Sequence, residues 1–434
     1  MIRVSQCMIV KNEEKNIEKA LTWGKDLMWE QIVVDTGSTD RTVEIARALG
    51  AKIYCFPWSD DFAAAKNFAI GQAAGDWIAF LDADEYMTPE GVASISNLFS
   101  GSQIQRFDGI STGWQQLDEE GTIFSSATQV RFFKNLPDIR YRRRIHEQLI
   151  SVSGRELKIA DAVLDISIFH TGYQKQALAD KKKSGRNLRL IQEELKEHPD
   201  DYEMLGYLGD EYYVNQEFQE AIQYYRRSIA CMPDLLADYD QRSAVTFCRL
   251  LSILTEGEYA SYTEAEVIYQ KASRLLPQEA DFAYIIGRYF AAEGDAQKAI
   301  FYLEQAIFKL NTYGCNNKAL LLAANLKDAF DILVRCCYEA GEAQKCVTNA
   351  VNYLKNDRYA MSILSRLILV LTQSGGRETY KQVLLFFSQL YDYSALKDRL
   401  FLLTAAERSG CKKFVAHLEG WLFTPEELTA IKNR

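Results

Sequence analysis

Short apolar runs and amphipathic stretches alternate along the first third of the chain. Val4 to Val10 is a β-prone run that stops at the polar break Lys11-Asn12-Glu13-Glu14. Asn16 to Leu27 follows with Ile17, Leu21 and the nearby Met28 close to helical spacing, which predicts an amphipathic helix. Gln31 to Val34 reads as a second, buried strand ending at Asp35. Thr36 to Asp40 then supplies a turn and several N-cap candidates for a helix running to Leu49. Lys52 to Phe56 and Trp77 to Leu81 read as the third and fourth strands, and the intervals leave room for helices between them. That is the pattern of an α/β domain whose mostly parallel sheet is covered on both faces. Ile110 to Trp114 and Gln129 to Phe133 read as further strands.

From about Asp180 helical periodicity takes over, and Gly and Pro become sparse. Leu205, Leu208, Gly209 and Tyr212, then Ala221, Tyr225, Ser228 and Pro233, fall in the register of a tetratricopeptide repeat. The late positions recur as Ala265, Tyr269, Ala272 and Pro277, and again as Ala299, Leu303 and Ala306. Gly287 stands twelve residues before Ala299, as Gly209 does before Ala221. The interval from Ala265 to Ala299 is 34 residues, the standard repeat, while Ala221 to Ala265 is 44 and implies a longer loop or longer helices. Phe330 to Tyr353 keeps helical character without the signature. The expected organisation is an α/β domain over 1–173, a helical linker over 174–200 and an all-α tetratricopeptide-like domain over 201–434. Stacked helix pairs make a concave surface suited to peptides or partner proteins. The plain alternative is an array that only stabilises the chain or joins it into a homodimer.

Composition narrows the function classes. At 434 residues, 48% hydrophobic, the chain supports two or three ordinary cores. A net charge of −9 lacks the basic balance of proteins that grip nucleic acid, so no nucleic-acid partner is expected. The N-terminus shows no signal pattern, and no run approaches the roughly 18 apolar residues of a membrane helix. Nine scattered cysteines form no CxxC pair, which suits reduced thiols and a cytoplasmic location.

Candidate chemistry sits at the strand ends. In parallel sheets ligands bind outside the carboxyl ends of the strands, where Asp35 and Asp82-Ala83-Asp84 fall. Residues two apart on a strand point the same way, so Asp82 and Asp84 would repel unless a cation joined them. Mg²⁺ or Mn²⁺ relieves that repulsion and can hold a diphosphate as well. A lone acidic triplet of this kind is usually a solvated turn. Here it follows the apolar run Trp77 to Leu81, which favours a site.

The strings CMIVKNEE (Cys7 to Glu14), VVDTGSTD (Val33 to Asp40), FAAAKN (Phe62 to Asn67) and GDWIAFLDADE (Gly75 to Glu85) resemble, in this order, family 2 glycosyltransferases of the GT-A fold. RRIHEQL (Arg143 to Leu149) and FHTGY (Phe169 to Tyr173) extend the resemblance over about the first 173 residues. With its helical tail the chain looks more narrowly like the sublancin S-glycosyltransferase group, which attaches sugars to cysteine or serine of bacteriocin precursor peptides. The resemblance implies a Rossmann-like GT-A domain and inverting sugar transfer from a nucleotide sugar, UDP-glucose or UDP-N-acetylglucosamine. It places Asn12, Glu13 and Asp35 against the base and ribose, and Lys66 near the phosphates. Asp84 would ligate the metal, with Asp82 on the metal or sugar and Ala83 between them. A histidine from beyond the triplet would complete the metal site, His170 being preferred over His146.

Glu147, beside His146, is the candidate base for the acceptor; alternatively it orients Arg143 or Arg144 through an ion pair. His170 has the alternative of a buried histidine bonded to backbone. Trp114 and Arg131 are candidate acceptor contacts, and Trp114 has the alternative of a core residue. Arg140, Arg142, Arg143 and Arg144 would face diphosphate or an acidic peptide, although a charge run is usually a solvated surface. The leading expectation is a transferase acting on a peptide or protein. Two others stand beside it: a transferase for cell-envelope or lipid-linked saccharide, and a non-catalytic repeat protein carrying a relic nucleotide-sugar domain.

Overall fold

Val4–Val10 forms β1, whose alternation sends Cys7 to one face of a sheet and Met8 and Val10 to the other, so it is buried on both sides. In the computed structural model, which describes residues 2–171, 185–237, 240–315, 318–373 and 375–432, three strands extend β1 in parallel. They are β2 (Glu30–Asp35), β3 (Lys52–Cys55) and β4 (Trp77–Phe80), in the order β3-β2-β1-β4. The sheet continues through β5 (Glu85–Met87), β6 (Gly109–Leu117), β7 (Ile123–Lys134) and two later strands, β10 (Ile159–Asp161) and β11 (Ser167–His170). From β4 the order runs β7-β6-β11-β5, with β10 beside β6.

The sheet is mixed where the sequence pattern predicted mostly parallel pairing: β7 is antiparallel to both β4 and β6. The cause is local. Asp118 closes the β6–β7 turn by accepting from the amides of Glu120 and Thr122, and so short a connection joins only antiparallel strands. The stretch expected as one helix over Asn16 to Leu27 is also divided. Helix α1 (Ile17–Thr22) ends before Gly24, which leaves helical conformation at φ −138°, and Lys25–Leu27 forms a separate 3₁₀ turn.

Helices α2 (Thr42–Ala48), α3 (Phe62–Gly71) and α4 (Pro89–Ser100) cover the sheet. Ala63, Ala69 and Ile70 of α3 pack on Cys7, Ile32, Val34 and Phe80, while α1 and α2 pack on Met8 and Val33 from the other side. Asp61 caps α3 by accepting from the amide of Ala64 at 2.8 Å. A separate two-stranded sheet, β8 (Ile139–Arg142) with β9 (Gln148–Ser151), is tied to α3 through Asn67. The Asn67 amide donates to the Tyr141 carbonyl at 2.8 Å and its oxygen accepts from the Tyr141 amide at 2.9 Å.

The chain divides into two compact units, Met1–Gln216 and Glu217–Arg434. The first takes in α5 (Arg186–Glu197) and α6 (Tyr202–Val214), which the sequence pattern had divided between linker and repeats. The proposed boundary at 173 lies outside the described residues, as do Gly172 and Tyr173 of FHTGY. The second unit is built of helices, beginning with α7 (Phe218–Cys231), α8 (Gln241–Thr255), α9 (Tyr262–Leu275), α10 (Asp281–Ala292) and α11 (Ala296–Tyr313). No described helix is long and apolar enough to cross a membrane.

The repeat positions are packing positions. Ala221, Ala265, Ala272, Ala299, Leu303 and Ala306 are all fully buried. Gly287 lets α10 and α11 approach so closely that a Cβ there would lie 2.8 Å from Leu303 Cγ and 3.2 Å from the Leu303 amide nitrogen. Gly287→Val is therefore expected to destabilise the helical unit by about 1–3 kcal/mol through overpacking. Thermal melts followed by circular dichroism check this, and an unchanged midpoint would show that the pair opens without cost.

Candidate functional site

Two cavities open where β1, β2 and β4 end. The smaller, about 270 Å³, is lined among others by Lys11, Glu13, Thr36, Ala83, Asp84 and Arg186. The larger, about 600 Å³, is lined among others by Trp114, Arg131, Tyr141, His146 and Leu149. Lys66, Asp82, Glu147 and His170 line both, and so mark the place where the two meet.

The acidic triplet lies just past β4, where the ladder ends at Phe80 and the Glu85 amide closes a turn on the Asp82 carbonyl at 3.0 Å. It is a turn rather than a strand end, so the alternation argument for Asp82 and Asp84 does not hold. The two carboxylates have different partners: Asp82 lies 3.3 Å from the Arg131 guanidinium, and Asp84 lies 3.3 Å from His170 Nε2. His170, at the end of β11, is the cross-strand neighbour of Glu85, and Trp114 covers its ring at 4.8 Å. No cluster of three or more His, Cys, Asp or Glu among the described residues is arranged to hold a metal ion.

Lys66 and Glu147 form an ion pair of 2.5 Å with 6% and 14% of their side chains exposed. Burial alone would push the Lys66 pKa down, but Glu147 and Asp82 outweigh it and hold the ammonium charged. Glu147 is thus joined to Lys66, not to Arg143 or Arg144. Arg143 instead pairs with Asp201 and Glu203, and Arg144 pairs with Glu197. His146 stacks flat on Tyr207, its ring centroid 3.6 Å away.

The other expected nucleotide contacts are part of the loop framework. Asn12, at φ 58°, accepts from the Thr39 amide at 2.8 Å, and its own amide donates to Ser38 Oγ at 2.9 Å. Asp35 is buried and accepts from the amides of Gly37 and Ser38. Neither is among the residues lining the cavities, whereas Glu13 lines the smaller one with its amide on Thr42 Oγ1 at 2.7 Å. Trp114 and Arg131 line the larger cavity, though both also bond to the Glu85 carboxylate.

Residues 5–178 match the family model of glycosyl transferase family 2. Residues 184–234 match a tetratricopeptide repeat model. A TPR repeat-containing protein of Synechococcus elongatus is 34% identical over 214 residues, 48% of this chain and 52% of the relative. The SPbeta prophage-derived glycosyltransferase SunS of Bacillus subtilis is 30% identical over 224 residues, 51% of this chain and 52% of the relative. The chain thus spans about half the length of the curated relatives it matches. The crystal structure of S. aureus TarS 1-349 aligns with 65% of this chain and 90% of its own, at 14% identity and a TM-score of 0.34.

Sequence reasoning passed over Glu85, inside the matched residues 5–178, and Arg186, beyond them. Glu85 is fully buried, and its carboxylate takes the Arg131 guanidinium, the Trp114 indole N–H at 2.7 Å and the Asp82 amide at 3.0 Å. Burial pushes its pKa up, opposed by Arg131. An acid directly after the triplet was visible in the sequence; its partners, 29 and 46 residues away, were not. Arg186 lines the smaller cavity and lies over the Phe62 ring at 5.1 Å. It follows a stretch of sequence with no motif to point at it.

Proposed function

We propose that this protein is an inverting, divalent-metal-dependent glycosyltransferase that moves a sugar from a UDP-linked donor to a cysteine or serine of a polypeptide. The observation that carries the reading is the pair of cavities sharing Lys66, Asp82, Glu147 and His170. A transferase needs two such chambers, one for the donor and one for the acceptor, meeting where the bond changes hands. The match of residues 5–178 to glycosyl transferase family 2 supports the same reading.

The donor takes the smaller cavity. Glu13 meets the nucleoside, and Asn12 and Asp35 hold the loops around it. Asp84 and His170 offer one oxygen and one nitrogen ligand, a set that fits Mg²⁺ or Mn²⁺ with the remaining positions filled by diphosphate oxygens and water. Once bound, such an ion supplies Lewis-acid stabilisation of charge on the departing diphosphate. Lys66 adds a fixed positive charge beside the phosphates, and Asp82, held by Arg131, accepts from sugar hydroxyls. The acceptor takes the larger cavity against Trp114, and Glu147 receives its proton as it attacks the anomeric carbon. A thiol acceptor needs less help than a hydroxyl, because its ordinary pKa is near 8.5. The helical unit offers a surface for the polypeptide or for a second copy of the chain, and nine free thiols suit a cytoplasmic setting.

Mass spectrometry of Cys- and Ser-containing peptides incubated with nucleotide sugars and Mg²⁺ or Mn²⁺ tests the reading. A hexose or N-acetylhexosamine shift that a chelator abolishes is expected. Nucleotide release without a peptide shift would move the acceptor to another class, such as an envelope saccharide. Neither release nor binding would leave a non-catalytic repeat protein. Asp84→Ala is expected to lose Mn²⁺-dependent UDP binding in calorimetry with an unchanged circular dichroism spectrum, and full binding by the variant would remove Asp84 from the metal site.

A further inference from the structure

We propose that Arg143 is a positioning residue for transfer, which acts through Asp201 and Glu203 to hold the turn that presents Glu147 to Lys66. The inference rests on the reading of Glu147 as the acceptor's base. β8 and β9 are joined by residues 143–147, and in this turn Arg143 (φ 74°) and His146 (φ 52°) take left-handed backbone conformations. Side-chain-bearing residues stay in that region only where their surroundings over-determine them, and such spots concentrate at functional sites.

Here the surroundings are α5 and α6. The Arg143 side chain is 5% exposed. Its Nε and one terminal nitrogen each donate to an Asp201 oxygen at 2.9 Å, and the other terminal nitrogen donates to Glu203. That planar fork is matched to guanidinium and not to an ammonium. Asp201 is also the N-cap of α6, accepting from the amides of Glu203 and Met204 at 3.1 Å. Glu203 reaches the far side of the turn as well, where Gln148 Nε2 donates to it at 2.5 Å. The Arg144 amide donates to Glu194 of α5 at 2.9 Å, and the His146 ring lies on Tyr207 of α6.

The opposite side of the turn is bonded to α3, the helix that carries Lys66. The Phe62 amide donates to the Arg144 carbonyl at 2.9 Å, and from this held turn Glu147 reaches Lys66 Nζ at 2.5 Å. Of the described residues lining the donor cavity Glu147 alone lies in this turn, whereas Lys11, Glu13, Thr36 and Asp84 belong to other segments. Loosening the turn therefore misplaces Glu147 and leaves donor binding in place. A misplacement of about 1 Å can cost on the order of 100-fold in rate.

The test uses full-length Asp201→Asn and Arg143→Lys. Asparagine caps a helix about as well as aspartate, so the first variant removes the charge facing Arg143 and keeps the α6 cap. Hydrogen exchange read by mass spectrometry is expected to quicken about tenfold over residues 143–149 in both variants, with 202–214 unchanged. With UDP-glucose and Mn²⁺, kcat for UDP release is expected to fall about 10- to 100-fold while KM for UDP-glucose stays within about twofold. Unchanged exchange over 143–149 in both variants overturns the proposal even where UDP-glucose is not turned over. So does a wild-type kcat in both. Glu147→Gln in the same assay separates the two readings. If it is slow while both variants keep the wild-type kcat, this proposal alone falls; if it keeps wild-type turnover, the base assignment falls and takes this proposal with it.

Discussion

Replacing Glu147 by glutamine is expected to lower nucleotide-sugar turnover about 10²- to 10⁴-fold, the range lost when a positioned general base is removed. Glutamine keeps the volume and can still accept a hydrogen bond from Lys66, but it cannot take a proton from the acceptor. The carboxylate lies where the two cavities meet, 2.5 Å from an ammonium that is 6% exposed. Donor KM should barely move, because in the proposed arrangement the nucleotide meets Lys11, Glu13, Thr36 and Asp84 of other segments. A UDP-release assay with circular dichroism as the folding control reads the result. Turnover within a few-fold of wild type would mean that Glu147 serves Lys66 as a counter-ion and that the acceptor proton leaves by another route.

The second large effect is on stability. Arg131→Met is expected to destabilise the first unit by about 3–5 kcal/mol, the cost of breaking a buried ion pair from one side. Glu85 is fully buried and Arg131 is its cation; without it, among the described residues, the carboxylate keeps only the Trp114 indole and the Asp82 amide as donors. Arg131→Met combined with Glu85→Leu removes both charges and is expected to recover part of the loss, so the two substitutions are non-additive. Urea denaturation of the four proteins measures the coupling. Additive losses would show that the pair contributes nothing beyond its packing.

Local signals in the sequence were read well where burial on both faces dictates them. β1 occupies Val4–Val10 as its apolar run predicts, and β2 follows within a residue. The repeat register was legible for the same reason: Ala221, Ala265 and Ala299 are small because a neighbouring helix leaves no room for more. What escaped was non-local. Nothing in the spacing of Asp82 and Asp84 tells that Glu85, the next acid, takes the Asp82 amide and bends the segment out of strand geometry. The run Arg140 to Arg144 reads as a solvated surface, yet Arg143 is buried against acids 58 and 60 residues on. Glu147 and Lys66 were both picked out by motif, but their pairing across 81 positions of sequence could be found only in the fold.

The helical pair α5–α6 belongs by sequence to the repeats, since the tetratricopeptide match begins at residue 184, but it lies in the first compact unit, which ends at Gln216. Its acids hold the turn beside the place where the two cavities meet. The natural seam for exchanging one tail for another therefore lies after Gln216 and not where helical periodicity starts. A chimera cut at 184 would inherit a foreign helix pair with no reason to fit Arg143. One cut at 217 would carry its own fastening with it, and that makes α5 and α6 part of the engine and the helices from α7 on the exchangeable trailer.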